Sequence, residues 1–80
     1  MGEKLLEMLA KNLVNNPDSV AIKVETGADG IVMYKLNVAK DDMGRIIGRN
    51  GRIAKAIRTI MKVAALKENK KIEVEIVDEA

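Results

Sequence analysis

The chain has 80 residues, enough for one small domain with a modest core. It contains no cysteine and no histidine, so a disulfide framework, a thiolate metal site and the commonest general base are excluded. The formal net charge is +2. The amino terminus interleaves acids with apolar residues, unlike a signal peptide or a membrane span, so we expect a cytoplasmic protein.

The sequence pattern of the first half of the chain predicts a helix followed by a β-hairpin. Leucines at three- and four-residue spacing predict an amphipathic helix from about Glu3 to Asn15, ended by Asn16-Pro17-Asp18. Apolar residues then alternate with polar ones, which predicts a strand. The alternating apolar residues of this first strand are Val20, Ile22 and Val24. Gly27-Ala28-Asp29-Gly30 predicts a hairpin turn, followed by a second strand from Ile31 to Val38.

The second half predicts two helices and a last strand. Asp41 or Asp42 is expected to cap a short helix that runs through Ile47. The segment from Gly48 to Gly51 is expected to break it, and a second helix then runs from about Arg52 to Leu66. After a turn at 68–70, apolar residues alternate with charged ones in a final strand. These apolar residues are Ile72, Val74 and Ile76.

These elements predict a single α+β domain over residues 1–80 with the order α-β-β-α-α-β. The first two strands pair through a short turn and are antiparallel. The last strand returns after two helices, which permits a parallel connection. We therefore expect a three-stranded mixed sheet with the helices packed on one face. Tyr34, in mid-strand, is expected to be a core residue.

The charge is distributed unevenly along the chain. Six cations and no acid lie between Met43 and Leu66, whereas the remainder carries a net charge of −4. These cations are Arg45, Arg49, Arg52, Lys55, Arg58 and Lys62. A basic face on an otherwise acidic domain is typical of a protein that binds a polyanion. The glycines of the GxxG segment (residues 48–51) would let a phosphate backbone come close to the protein backbone.

The run Ile46-Ile47-Gly48-Arg49-Asn50-Gly51, followed by a helix with Ala54 and Ile57, resembles the core motif of a KH domain. The element order resembles the type II arrangement, with a helix–GxxG–helix core over residues 41–66. The whole chain is similar to the small single-KH proteins of bacteria, the KhpA family. Ile53 departs from this pattern, because the resemblance leads us to expect a small polar residue there.

The resemblance implies that the GxxG segment grips the backbone of about four nucleotides of single-stranded RNA. The predicted RNA-binding residues are Arg45, Ile46, Ile47, Gly48, Arg49, Asn50, Gly51, Arg52, Ala54, Lys55 and Arg58. The bases would lie in a groove closed by the last strand near Ile72 and Val74. The single aromatic residue disfavours modules that stack bases on aromatic platforms. We expect an RNA chaperone or post-transcriptional regulator of low sequence specificity, without cofactor, metal or small-molecule substrate.

The sequence alone is also compatible with functions other than RNA binding. An enzyme is disfavoured because Ser19 has no histidine or cysteine to activate it. A helix-turn-helix DNA reader and a membrane-surface helix are alternatives. The long helix carries more apolar residues than one sheet contact needs, which indicates a second contact: the amino-terminal helix, or a homodimer. The resemblance adds a heterodimer with a larger Jag-type KH protein, with RNA contact secondary.

Overall fold

A computed structural model describes residues 2–78, with the side chains of Arg49 and Asp78 outside the described part. Its elements are α1 (Gly2–Leu13), a 3₁₀ turn (Pro17–Ser19), β1 (Ala21–Thr26), β2 (Val32–Val38), α2 (Lys40–Lys67) and β3 (Ile72–Asp78). Within this part of the chain, no helix is both long and apolar enough to cross a membrane.

The three strands form one sheet in the order β1-β2-β3. The β1 and β2 strands are antiparallel, whereas β3 is parallel to β2, which confirms the mixed sheet. The predicted hairpin turn is also present: the Gly30 N–H donates to the Gly27 carbonyl at 3.0 Å, and the Ile31 N–H donates to Asp29 Oδ1 at 3.0 Å. Gly30 has a φ of +84°, a left-handed conformation that glycine adopts without strain.

The α2 element contains both predicted helices, and the order α-β-β-α-α-β is confirmed. Its backbone is left-handed at two residues, Asn50 with φ +63° and Gly51 with φ +68°. Two such residues in succession cannot continue a right-handed helix, so they divide α2 into residues 40–49 and 52–67. The division is narrower than the expected four-residue break, because Gly48 stays within the helical run.

The helices cover one face of the sheet. The core comprises Leu6, Ala10, Leu36, Val38, Ile46, Ala54, Ile57, Met61, Val74 and Ile76. It therefore draws side chains from α1, both parts of α2, the central strand β2 and the edge strand β3. Tyr34 is half-buried and packs against this core, as expected. The opposite face of the sheet carries charged residues, among them Lys35, whose Nζ lies 3.4 Å from Glu25 Oε2.

The predicted capping role of the aspartates is wrong. The residue at the amino-terminal cap of α2 is Ala39, and no side chain caps the helix there. Asp42 is instead 1% exposed and reaches back to the chain that leaves α1. Its carboxylate accepts the N–H of Asn15 at 2.9 Å, the N–H of Asn16 at 3.0 Å and Asn16 Nδ2 at 3.1 Å. These bonds fasten the end of α1 to the start of α2.

Candidate nucleic-acid interface

The two glycines of the GxxG segment have different structural roles. Gly51 has a left-handed backbone, which a residue with a Cβ adopts only at a cost of about 1–2 kcal/mol. Gly48 lies within the helical run, and a Cβ there would meet no atom within 4 Å beyond its own helix turn. A glycine inside a helix costs about 0.5–1 kcal/mol relative to alanine. The fold therefore favours glycine at 51 but gives no reason for glycine at 48.

The cations around the GxxG segment project from both parts of α2. Arg45, Arg52, Lys55 and Arg58 are all exposed. Arg52 and Lys55 follow the segment within one helix turn, where the positive end of the dipole of residues 52–67 also lies. Exposed cations at the start of a helix favour an anionic ligand such as phosphate.

Two of these arginines also make contacts within the fold. Arg45 Nη1 donates to Asn15 Oδ1 at 3.1 Å, so it links the start of α2 to the end of α1. Arg58 Nε donates to the Val74 carbonyl at 3.3 Å. Since β3 is an edge strand, Arg58 spans the space between α2 and the free edge of β3. Its guanidinium is thereby positioned beside the predicted groove rather than on the outer surface of the helix.

The predicted apolar residues separate into buried and exposed ones. Ile46 is 0% exposed and Ala54 is 5% exposed, so both belong to the core and their burial does not support contact with bases. Ile47, in contrast, is 50% exposed. On the strand side of the predicted groove, Val74 is buried and Ile72 is half-buried.

A shallow cleft beside the GxxG segment was not foreseen. It is lined by Gly44, Arg45, Gly48 and Ile53. Gly44 and Gly48 are four residues apart and therefore lie on one side of the helix, where they expose its backbone. Ile53 is half-buried and packs against the core, so the residue that departs from the family pattern forms an apolar wall of this cleft. The four-residue spacing of Gly44 and Gly48 is the feature of the sequence that could have predicted this cleft.

The carboxylate of Asp42 is buried near Arg45, and hydrogen bonds from Asn15 and Asn16 hold it in place. The N–H of Asn15 is the main cause that lowers the pKa of Asp42 below its ordinary value, and the bonds from Asn16 and the charge of Arg45 act in the same direction, whereas burial opposes them. Hydrogen bonds and a nearby cation within the protein thus compensate the negative charge of Asp42. Among the described residues, no group of three potential metal ligands occurs.

A second apolar surface lies on α2. Ile60 is 43% exposed and Val63 is 50% exposed, and with exposed Ala56 they recur at three- and four-residue spacing. We call these three residues the apolar stripe. α1 packs against α2 but leaves the apolar stripe uncovered. The predicted surplus of apolar residues on this helix is therefore only partly explained by α1.

Comparison with known proteins identifies relatives along nearly the whole chain. A family model described as "KhpA/KhpB, KH domain" matches residues 3–76. A protein of Clostridium acetobutylicum named RNA-binding protein KhpA is 53% identical over 75 residues, which cover 94% of this chain and 99% of that protein. Its namesake in Caldanaerobacter subterraneus subsp. tengcongensis is 52% identical over 77 residues, covering 96% of this chain and 100% of that protein.

Solved structures show the same fold at low sequence identity. A crystal structure of Era in complex with MgGDPNP and nucleotides 1506–1542 of 16S ribosomal RNA matches with a TM-score of 0.67 and 18% identity. A structure of Aquifex aeolicus Era bound to GDP and aluminium fluoride matches with a TM-score of 0.65 and 18% identity. Each match covers 96% of this chain and 29% of the Era chain, so this chain corresponds to less than a third of Era.

Proposed function

The chain belongs to the KhpA/KhpB family of KH domains, and from this premise we propose that it binds single-stranded RNA by gripping the sugar-phosphate backbone at the GxxG segment. Its relatives are named RNA-binding proteins, and the chain is an RNA-binding protein rather than an enzyme. We propose in addition that the GxxG segment contacts the sugar-phosphate backbone of the RNA directly. The bound segment is about four nucleotides long.

The observation that carries this proposal is the environment of Gly48. Its backbone does not need glycine, and its missing side chain leaves open space on the surface. Close approach of a ligand backbone is the physical reason for a glycine that the fold itself does not require. Gly44, one turn earlier, has the same open surroundings, so the exposed backbone extends along one helical turn.

The charges and apolar residues around the GxxG segment suit a nucleotide strand. Arg49, Arg52 and Lys55 provide cations for phosphates, and Asn50 tolerates the left-handed backbone while offering an amide to a phosphate oxygen. Ile47 offers apolar surface for a base. Arg58 reaches the edge of β3 and can donate its remaining N–H groups to bases or phosphates. Ile46 and Ala54 support this surface from beneath.

The groove has few means of reading a base sequence. The chain has one aromatic residue in total, and Tyr34 is engaged with the core. Apolar contact and phosphate binding discriminate poorly among bases. We therefore infer low sequence specificity and a role as RNA chaperone or post-transcriptional regulator.

A binding titration with a short fluorescent single-stranded RNA tests the proposal. The Arg49→Asp/Asn50→Asp variant should lose binding while circular dichroism shows that it is folded. Lys4→Asp/Thr26→Asp is a matched control, because it also changes the net charge by three but alters α1 and the hairpin end of β1. Equal loss in both variants would indicate only a general charge effect. Unchanged binding by the first variant would refute the clamp.

Dimerisation is a second proposal, favoured by the apolar stripe on α2. A homodimer, or a heterodimer with a larger Jag-type KH protein, would bury Ile60 and Val63. Two linked KH domains would also bind one RNA more tightly than either does alone. If the partner-binding role is the main one, a complex with the Jag-type protein should persist in Arg49→Asp/Asn50→Asp, in which RNA binding is lost. Loss of both together would contradict separate surfaces.

A further inference from the structure

A second cleft lies at the carboxy-terminal end of α2, beyond the helical part that follows the GxxG segment. It is formed by the last turns of α2, the turn that leads into β3 and the residue before β2. Its apolar lining includes Ile31, Leu66 and Ile72, and Lys62, Lys70 and Lys71 surround it. Its volume of about 270 Å³ lies just below the usual range of small-molecule sites. We call it the lysine cleft.

The lysine cleft combines uncovered apolar surface with unpaired positive charge. Leu66 is 72% exposed, the most exposed of the large apolar side chains in the described part of the chain. The ion pairs found among the described residues are Lys11 with Glu7 and Lys35 with Glu25, so the three lysines of the cleft have no carboxylate partner there. One acid, Glu73, also lines the cleft, which leaves a local charge of +2.

The lysine cleft is continuous with the cations near the GxxG segment. Lys55, Arg58, Lys62 and Leu66 follow one another at intervals of three or four residues, so they lie along one side of α2. The helix rises about 1.5 Å per residue, so Leu66 lies roughly 20 Å from Arg52. Arg58 marks the middle of this path, where it contacts the edge of β3. Lys70 and Lys71 then precede the first residue of that strand.

We propose that the lysine cleft is a second subsite for single-stranded RNA, occupied by the part of a strand that continues beyond the GxxG segment. The lysines would hold phosphates, and Leu66 with Ile72 would receive the face of a base. The inference rests on the proposed RNA binding at the GxxG segment. RNA suits the cleft better than an acidic peptide because the cleft continues the proposed phosphate-binding path and combines cations with exposed apolar surface.

The subsite predicts that affinity depends on RNA length. Fluorescence anisotropy would compare oligouridines of about 4 and about 12 nucleotides, the shorter matching the usual KH footprint. Lys70→Gln/Lys71→Gln should weaken binding of the longer RNA about fivefold and reduce the magnitude of its log–log salt slope by about 1.4. Leu66→Ser should weaken the longer RNA without changing the slope, because it removes apolar contact only. Both variants should bind the shorter RNA as the wild type does.

Lys4→Gln/Lys23→Gln is the matched control, since it removes two positive charges from α1 and β1, away from the path along α2. The inference is overturned if the lysine-cleft variants bind the longer RNA as this control does. It is also overturned if a glutamate oligomer, rather than the longer RNA, loses affinity in those variants. If the wild type binds neither RNA length, the proposed function fails as well. If the shorter RNA binds normally and length has no effect, only the second subsite is refuted.

Discussion

Alanine substitution at the two glycines of the GxxG segment should change stability in opposite directions. Gly51→Ala places a Cβ on a backbone with φ +68°, and we expect it to destabilise the protein by about 1–2 kcal/mol. Gly48→Ala places a Cβ in open space within a helical run, and it should stabilise the protein by about 0.5–1 kcal/mol. For a domain of this size, 1 kcal/mol corresponds to a shift of about 4–8 °C in Tm.

The same pair separates folding from RNA binding. Gly48→Ala should weaken RNA binding about tenfold despite its greater stability, because a Cβ that keeps a phosphate from the backbone removes a charge-assisted hydrogen bond of about 1.5 kcal/mol. Gly44→Ala should raise stability in the same way, and because Gly44 lines the same cleft, it should also weaken RNA binding. Thermal unfolding followed by circular dichroism gives the first effect, and fluorescence anisotropy gives the second.

Two outcomes would refute this reasoning. If Gly48→Ala were destabilised as much as Gly51→Ala, the backbone at 48 would need glycine for the fold. If Gly48→Ala were more stable and bound RNA with unchanged affinity, the open space at Gly48 would have no role in ligand approach.

Three further predictions follow from individual contacts. Because the folded pKa of Asp42 is lowered, its carboxylate stabilises the fold fully above the unfolded value of about 3.9 and less as the pH falls through the folded pKa. Urea unfolding between about pH 3 and 7 should therefore show a smaller pH dependence in Asp42→Asn, which should also be less stable at neutral pH. Arg58→Met removes the donor to the Val74 carbonyl, so it should lower the free energy of unfolding in urea by about 0.5–1 kcal/mol. It should also weaken RNA binding measured by anisotropy. If only the stability changes, Arg58 has a structural role and does not contact RNA. Ile60→Lys/Val63→Lys should remain monomeric in sedimentation at concentrations where the wild type dimerises, and a monomeric wild type at high micromolar concentration would contradict the homodimer.

Periodicity predicted the elements of this fold because each pattern reports which side of a short segment meets the core. Apolar and polar residues alternate with a period of two in β1, β2 and β3, and this alternation correctly predicted which face of the sheet is exposed to solvent. The two GxxG segments differ in their charge: Asp29 lies within 27–30, whereas Arg49 lies within 48–51. This difference distinguished a hairpin turn from a candidate binding segment. Strand direction then followed from the lengths of the connections.

Contacts between distant residues could not be predicted in this way. The sequence pattern favoured Asp42 as a helix cap, yet its carboxylate accepts hydrogen bonds from a segment 26 and 27 residues earlier. Arg58 was expected to extend a phosphate-binding face, but its Nε reaches a carbonyl on β3. The side chains of Asp42 and Arg58 could each form hydrogen bonds with many backbone groups. The packing of α1, α2 and β3 determines which of these groups lies within reach.

The sequence by itself determined the class of this protein: a small α+β domain with a glycine segment set in a run of cations. These properties depend on local pattern and composition, which a linear chain displays fully. Only the tertiary structure decided which apolar residues are exposed, because Ile46 and Ile47 are adjacent in sequence yet one is buried and the other is half exposed. It also decided that the lysines at 62, 70 and 71 surround one cleft, since that depends on how α2 and β3 meet in space.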